Sequence, residues 1–311
     1  MPDVLRIVRK TFMLYAKGKT QMPPKIYLHL EKYNGDFRAM PAYIQGLEAC
    51  GIKWVNVHPR NSRFGLPAVM AVIILSDPKT GLPIAIMGGT QITNLRTGAA
   101  GALAAKYLAR KNSSVVGLVG CGVQARTQLL ALKELFKIKL VRIWGKRPKL
   151  ANTFVRDMRY LGLKLKSEGN ISDCLKDADI IVTTTPVRHP IVRSEWIKEG
   201  AHINAIGADA KGKEELEPAL LKRSKIVVDD WLQAAHSGEI NVPFAKGIIK
   251  RKDIYANLGE IIVGKKKGRV SKKEITIFDS TGLAIQDIAV AELIFKKALK
   301  KRAGTKIKIL S

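Results

Sequence analysis

Six residues, Gly120-Cys121-Gly122-Val123-Gln124-Ala125, carry the spacing G-x-G-x-x-A. At a strand-to-helix turn this spacing suits a dinucleotide. The first glycine permits a tight turn, the second lets the backbone approach a pyrophosphate, and the small third residue keeps helix and strand close. The helix N-terminus then offers unpaired N–H groups and a positive dipole end to the phosphates. Such folds usually place an acid about 20 residues on, at the end of the next strand, for the adenine ribose hydroxyls. Here that strand ends Ile143-Trp144-Gly145, and Lys146 and Arg147 follow. A 2′-phosphate needs cationic donors and no repelling carboxylate. The stretch RIWGKRPK (142–149) therefore reads as an NADP site, with NAD as the alternative. Cys121 inside the turn reads as a small buried filler.

The elements around this turn are those it requires. VVGLV (115–119) is a predicted strand and QARTQLLALKELF (124–136) a helix. KLVRIW (139–144) is the next strand, and KLANTFVRDMRYLG the next helix. DIIVTTT (179–185), HINAIG (202–207), KIVVDD (225–230) and EITIFD (274–279) complete a set of short apolar strands. Continuous apolar strands separated by helices imply a parallel sheet covered on both faces. Right-handed crossovers then make it doubly wound, a Rossmann fold. The N-terminal third is different. It is strand-rich, with turn signals at Asn34-Gly35 and Lys79-Thr80-Gly81. A helix over 94–111, rich in small residues, leads into the nucleotide-binding part. A long helix follows Ser280 and Thr281, either of which could cap it. The expected class is α/β: a doubly wound parallel sheet over 112–280, plus a second α+β domain built from both chain ends, 1–111 and 281–311.

Composition narrows the function classes. Of 311 residues, 46% are hydrophobic, enough for a packed core rather than disorder. No apolar run reaches the roughly 18–20 residues of a membrane span, and MPDVLRIVRK has no secretory h-region. Cys50, Cys121 and Cys174 are far apart and form no CxxC pair, which fits a reducing cytoplasm. The five histidines lack metal-ligand spacing. Lys plus Arg is 54 against 26 for Asp plus Glu, a net charge of +28. The basic runs around 265–273 and 296–302 carry no interleaved aromatics and no nucleic-acid motif. They read as a solvated basic surface.

Taken in order, MPPKIYL, GDFRAMPAY, GIKWVNVHP, LRTGAAGALAAKYLA, GLVGCGVQA, DIIVTTTP, EGAHINAIGADAKGKEEL, AKGIIKR, NLGEII and ITIFDSTGLAIQD span essentially the whole chain. This ordered set resembles the ornithine cyclodeaminase/mu-crystallin family, most closely its archaeal alanine dehydrogenase branch. The resemblance implies hydride transfer between a nicotinamide and the α-carbon of an amino acid, or reduction of a cyclic imine. It implies catalytic roles for Lys53 and Asp209. It implies substrate-carboxylate roles for Arg96, Lys25 and Arg38. It implies cofactor contacts at Val123, Gln124, the 183–185 run with Thr184 and Thr185, Lys213 and Ser280, beside Gly120, Gly122, Lys146 and Arg147. It also implies a homodimer formed through the N-terminal domain.

These residue types suit the chemistry. An amino acid carboxylate needs cationic anchors. The α-amine must lose a proton before hydride departs, and the iminium needs an activated water. Lys53, crowded by Arg38, Arg96 and Lys25, is expected to do proton work near neutrality. Asp209 follows an apolar strand, at the carboxyl edge where α/β sheets bind ligands. In the cyclodeaminases the Arg38 position is typically acidic and holds a distal amine. Arginine there favours a short substrate, alanine or pyruvate, over ornithine. The branch commonly has an acid where Gly145 stands and lacks the Tyr33-Asn34 extension. The expectation is an NADP-dependent amino acid dehydrogenase. An ornithine cyclodeaminase, a ketimine reductase and a cofactor-binding protein without turnover are the alternatives.

Overall fold

The computed structural model describes residues 1–308. The chain divides into two compact units. One, the sheet unit, comprises Gly18–Thr93 and Ala284 onward; the other, the nucleotide unit, comprises Met1–Lys17 and Asn94–Leu283.

The sheet unit holds β1 (Thr20–Gln21), β2 (Ile26–Leu30), β3 (Gly35–Ile44), β4 (Ala49–Val57), β5 (Val69–Ser76) and β6 (Pro83–Gly88). The order is β1-β3-β4-β5-β6, with β2 also on β3, and every pair is antiparallel. Alternation along the strands gives the sheet two faces. Arg38, Met40, Ala42 and Ile44 of β3 are buried, as are Lys53 and Val55 of β4. The C-terminal helix Ala284–Lys300 packs on β3, β4 and β5. Gly51 permits this approach: a β-carbon there would lie 3.2 Å from Ile288 Cδ1 and 2.3 Å from Ile74 O. The opposite face exposes Ile26, Leu28, Trp54, Val72, Ile84 and Ile86. The Asn34-Gly35 signal is a turn in which Asn34 itself takes the left-handed conformation, at φ 48°.

The nucleotide unit carries an eight-stranded parallel sheet. Its strands are β7 (Val115–Val119), β8 (Leu140–Trp144), β9 (Lys164–Ser167), β10 (Ile180–Thr183), β12 (His202–Ala205), β14 (Lys225–Val228), β15 (Ile254–Asn257) and β16 (Thr276–Asp279). β11 (Arg188–Val192) and β13 (Glu214–Leu216) form a separate parallel pair. The sheet order is β15-β14-β16-β12-β10-β7-β8-β9. Succession reverses between β7 and β10, so the carboxyl ends of those two strands mark the switch point where such sheets bind ligands. β9, β15 and the β11–β13 pair add to the strands read from sequence.

The helix expected over 94–111 runs Thr90–Leu108. Its glycines serve close packing on helix Val123–Lys133: a β-carbon at Gly98 would lie 2.4 Å from Thr127 O. The division differs from the expected 1–111 with 281–311. The N-terminal helix Pro2–Ala16 joins the nucleotide unit, where Gly259 meets it so closely that a β-carbon would lie 2.8 Å from Phe12 O. The last helix starts at Ala284, and the Thr281 hydroxyl donates to Asp229 at 3.0 Å.

His202, at the start of β12, is fully buried between Thr276 Oγ1 and Asn204 Oδ1, at 2.9 and 3.0 Å. Burial, aided by Arg269, pushes its pKa down to about 3. The folded state therefore resists a proton that the unfolded chain takes up near pH 6.5. Stability is expected to fall by about 1.4 kcal/mol per unit as pH drops below ~6.5, until ~3. Denaturant titrations across that range should show a shallower acid decline in His202→Gln than in the parent. Equal slopes would refute the assignment.

Candidate active site

The glycine-rich turn leaves β7 and opens helix Val123–Lys133. Gly120 has φ +111°, and a β-carbon there would lie 2.4 Å from Thr184 Oγ1. Both facts require glycine. Gly122 is the helix N-cap, has no side-chain cap, and faces open space where a β-carbon would stand. Val123 is exposed beside it. Gln124 donates from Nε2 to Asn94 Oδ1 at 3.1 Å. Ser280, buried at the end of β16, has a hydroxyl with no hydrogen-bond partner among the described residues. An orphaned buried hydroxyl and an uncapped, side-chain-free helix N-terminus fit a dinucleotide.

Gly145 is buried, and a β-carbon there would lie 2.6 Å from Cys121 Sγ. Cys121 is half-buried rather than the fully buried filler expected, and its partial burial pushes the thiol up. Lys146 and Arg147 are exposed, and Arg147 is the N-cap of helix Pro148–Asp157. No acidic side chain occupies 144–149.

On the sheet unit, Lys53 lies at the middle of β4 with 1% side-chain exposure. Its Nζ stands 2.6 Å from Oδ2 of Asp287, which is fully buried on the C-terminal helix, and 3.5 Å from Thr93 Oγ1. The expectation that Arg38, Arg96 and Lys25 crowd Lys53 named no acid; the structure adds a carboxylate counter-ion, Asp287. Arg38 lies on the same sheet face. It binds Asp36 through two hydrogen bonds, Nε to Oδ1 at 2.7 Å and Nη2 to Oδ2 at 3.2 Å, and sits over the Tyr27 ring at 5.3 Å. Lys25, half-buried, immediately precedes β2.

On the nucleotide unit, Arg96 is buried on helix Thr90–Leu108. The Gly282 turn lies against it: φ is +79°, and a β-carbon would come 2.4 Å from Arg96 Nη1. Asp229 holds this turn by accepting from Gly282 N and Thr281 Oγ1, at 2.7 and 3.0 Å. Asp209 follows β12 and accepts from Lys213 Nζ at 2.5 Å, so the expected cofactor lysine is engaged with the expected acid/base. Thr185, another expected contact, commits its backbone N–H and its hydroxyl to Glu215, both at 2.6 Å. Thr184 Oγ1 reaches Val119 O at 3.5 Å.

Sequence reasoning missed Asp287, Asp36 and Glu215. Asp287 had a readable signal: it is an acid within AIQDIAVAELIF, a helix whose residues 284–291 are all buried. A charge in such a stretch needs a partner.

A doubly wound sheet with an uncapped glycine turn at its switch point defines a dinucleotide-binding α/β protein. The model of the ornithine cyclodeaminase/mu-crystallin family matches residues 1–302, and the chain belongs to that family. Fold, turn and family together make it an NAD(P)-dependent oxidoreductase of the dehydrogenase/reductase kind. The chain is 54% identical to an alanine dehydrogenase of Archaeoglobus fulgidus over 310 residues, 99% of this chain and 94% of that one. Among solved structures it resembles an archaeal alanine dehydrogenase dimer with bound NAD (TM-score 0.96, 52% identity, 99% and 95% of the two chains). It also resembles the Thermococcus litoralis Delta(1)-pyrroline-2-carboxylate reductase in complex with NADH and L-proline (TM-score 0.96, 40% identity, 98% and 95%).

Proposed function

We propose that the protein interconverts a small L-amino acid of the alanine type with its 2-oxo acid and ammonia, using NADP. The observation that carries the reading is the Lys53 ammonium, buried on β4 and held by Asp287. When bound, the nicotinamide accepts or supplies the hydride at the α-carbon. Lys53 moves the proton at the substrate nitrogen. Asp209 takes the proton of the attacking water. Arg38 and Arg96 anchor the carboxylate, and Lys25 adds a further cation. Gly120, Gly122, Val123 and Gln124 cradle the pyrophosphate. Thr184, Thr185, Lys213 and Ser280 contact the remainder, with Lys146 and Arg147 beside the 2′-phosphate. Arg38 opposes the distal amine of ornithine, which disfavours cyclodeamination.

The 340 nm absorbance of NADPH mixed with pyruvate and ammonia should fall on adding enzyme. NADH is expected to serve less well. A clear NADH preference would sink the NADP assignment, which the NAD-bound and NADH-bound relatives do not favour. The second reading is reduction of a cyclic imine. It is favoured by the proline-bound relative, because proline also carries its carboxylate on the carbon bonded to nitrogen. Delta(1)-pyrroline-2-carboxylate run beside pyruvate separates the two. Tight NADPH binding with no oxidation in either assay would support a binding protein without turnover.

The exposed apolar sheet face is the surface we assign to a homodimer. Ile26, Leu28, Val72 and Ile86 there are each more than 40% exposed, an arrangement that marks an interface rather than a solvated sheet. Ile86→Glu should convert a dimer to a monomer by light scattering. An unchanged mass would move the interface elsewhere.

A further inference from the structure

Glu215 lies at the centre of β13 and is fully buried. Both of its oxygens receive donors and nothing else. Oε1 accepts from the Thr185 N–H and the Thr185 hydroxyl, both at 2.6 Å. Oε2 accepts from the Thr183 hydroxyl at 2.6 Å and the Gly207 N–H at 3.0 Å. One carboxylate therefore ties together the backbones that leave β10 and β12, two neighbouring strands of the parallel sheet. The contact is close enough to dictate glycine at 207, where a β-carbon would lie 2.3 Å from Thr185 O and 2.5 Å from Glu215 Oε2.

The chain between the two ends of this clamp is also fastened. Asp209 and Lys213 pair across it. Asn241 accepts from Gly212 N at 2.8 Å and donates to Lys213 O at 2.7 Å. Glu239 supports the clamp from behind: its Oε1 accepts the Glu215 and Leu216 N–H groups at 2.8 and 2.6 Å. Burial and the Glu215 charge push Glu239 well above the usual carboxyl range. Burial raises Glu215 too, but its four donors work against that. Glu239 Oε2 meets no hydrogen-bond partner among the described residues.

We propose that Glu215 is a positioning residue that fixes the Thr183–Thr185 loop and the Gly207–Asp209 loop in one register, so that dinucleotide binding and the placement of the Asp209 carboxylate depend on a single buried charge. The proposal rests on the roles assigned above to Thr184, Thr185 and Asp209. A neutral amide cannot substitute. In either orientation the NH2 of glutamine would face a backbone N–H, that of Thr185 or that of Gly207, and neither donor can turn away.

The test is Glu215→Gln in the full-length protein, with NADPH and NADH affinity read from nicotinamide fluorescence and steady-state constants measured separately. We expect the dinucleotide Kd and KM to rise about tenfold or more, the scale of one charge-assisted hydrogen bond, with kcat per dinucleotide-binding site also reduced. A clamp with a purely structural role would lower the folded fraction and leave Kd and KM unchanged. Constants within twofold of the parent would overturn the proposal. Should Glu215→Gln fail to fold, Thr183→Val removes one donor at almost constant volume and should raise Kd in the same direction; an unchanged Kd there has the same force. Fluorescence requires no substrate, so a wrong substrate assignment leaves this test intact. Conversely, normal turnover of pyruvate or the cyclic imine by Glu215→Gln refutes the clamp while upholding the reaction.

Discussion

Asp287→Ala is expected to lower unfolding free energy by about 3–5 kcal/mol, because it removes a carboxylate that the buried Lys53 ammonium is paired with. The pair is 2.6 Å apart, with side-chain exposures of 1% and 0%. Removing one partner leaves an uncompensated buried charge, whereas removing both with apolar groups of similar volume is often neutral or stabilising. The double variant Lys53→Met/Asp287→Leu should therefore melt close to the parent in urea, and the single variant well below it. The same double variant separates structure from chemistry. If the pair only braces helix Ala284–Lys300 against β4, the restored protein remains active. If Lys53 moves the substrate proton, it is stable and inert. A single variant within 1 kcal/mol of the parent would show that the ion pair carries little.

What was legible in the sequence was local. The glycine turn, the strand before it and the helix after it are contiguous, so G-x-G-x-x-A in its strand-turn-helix setting located β7 and helix Val123–Lys133. Continuous apolar runs located β8, β10, β12, β14 and β16 because strands buried on both faces need no polar alternation. Strand ends read too long: the N–H groups of Thr185 and Gly207 leave the ladder to meet Glu215, where side-chain acceptors replace ladder partners. The counter-charges were hidden by distance. Asp287 lies 234 residues from Lys53. Glu215 reads as one more acid in KGKEEL. Residues 1–17 fall with the nucleotide unit rather than with the strands that follow them, because position along the chain does not say which unit a terminal helix packs on.

Asp209→Asn carries the other large effect: kcat should fall by about 10²–10⁴, the usual contribution of a positioned acid/base, with dinucleotide affinity retained. Asparagine keeps the size of the side chain and one oxygen for the Lys213 ammonium, which now stands 2.5 Å from Oδ1. It cannot take a proton from water. The competing account is that Asp209 merely orients Lys213, and Lys213→Ala distinguishes the two. If Asp209 is the base, Lys213→Ala leaves the carboxylate in place and costs far less in kcat than Asp209→Asn. If Lys213 is the group that matters, its removal costs at least as much, and weakened dinucleotide binding accompanies it. The loop that bears both residues is anchored by Glu215, so Glu215→Gln should weaken the dinucleotide as well as slow turnover. Asp209→Asn should slow turnover alone. A loss of affinity in Asp209→Asn matching that of Glu215→Gln would mean that the loop, and not the Asp209 carboxylate, governs the rate.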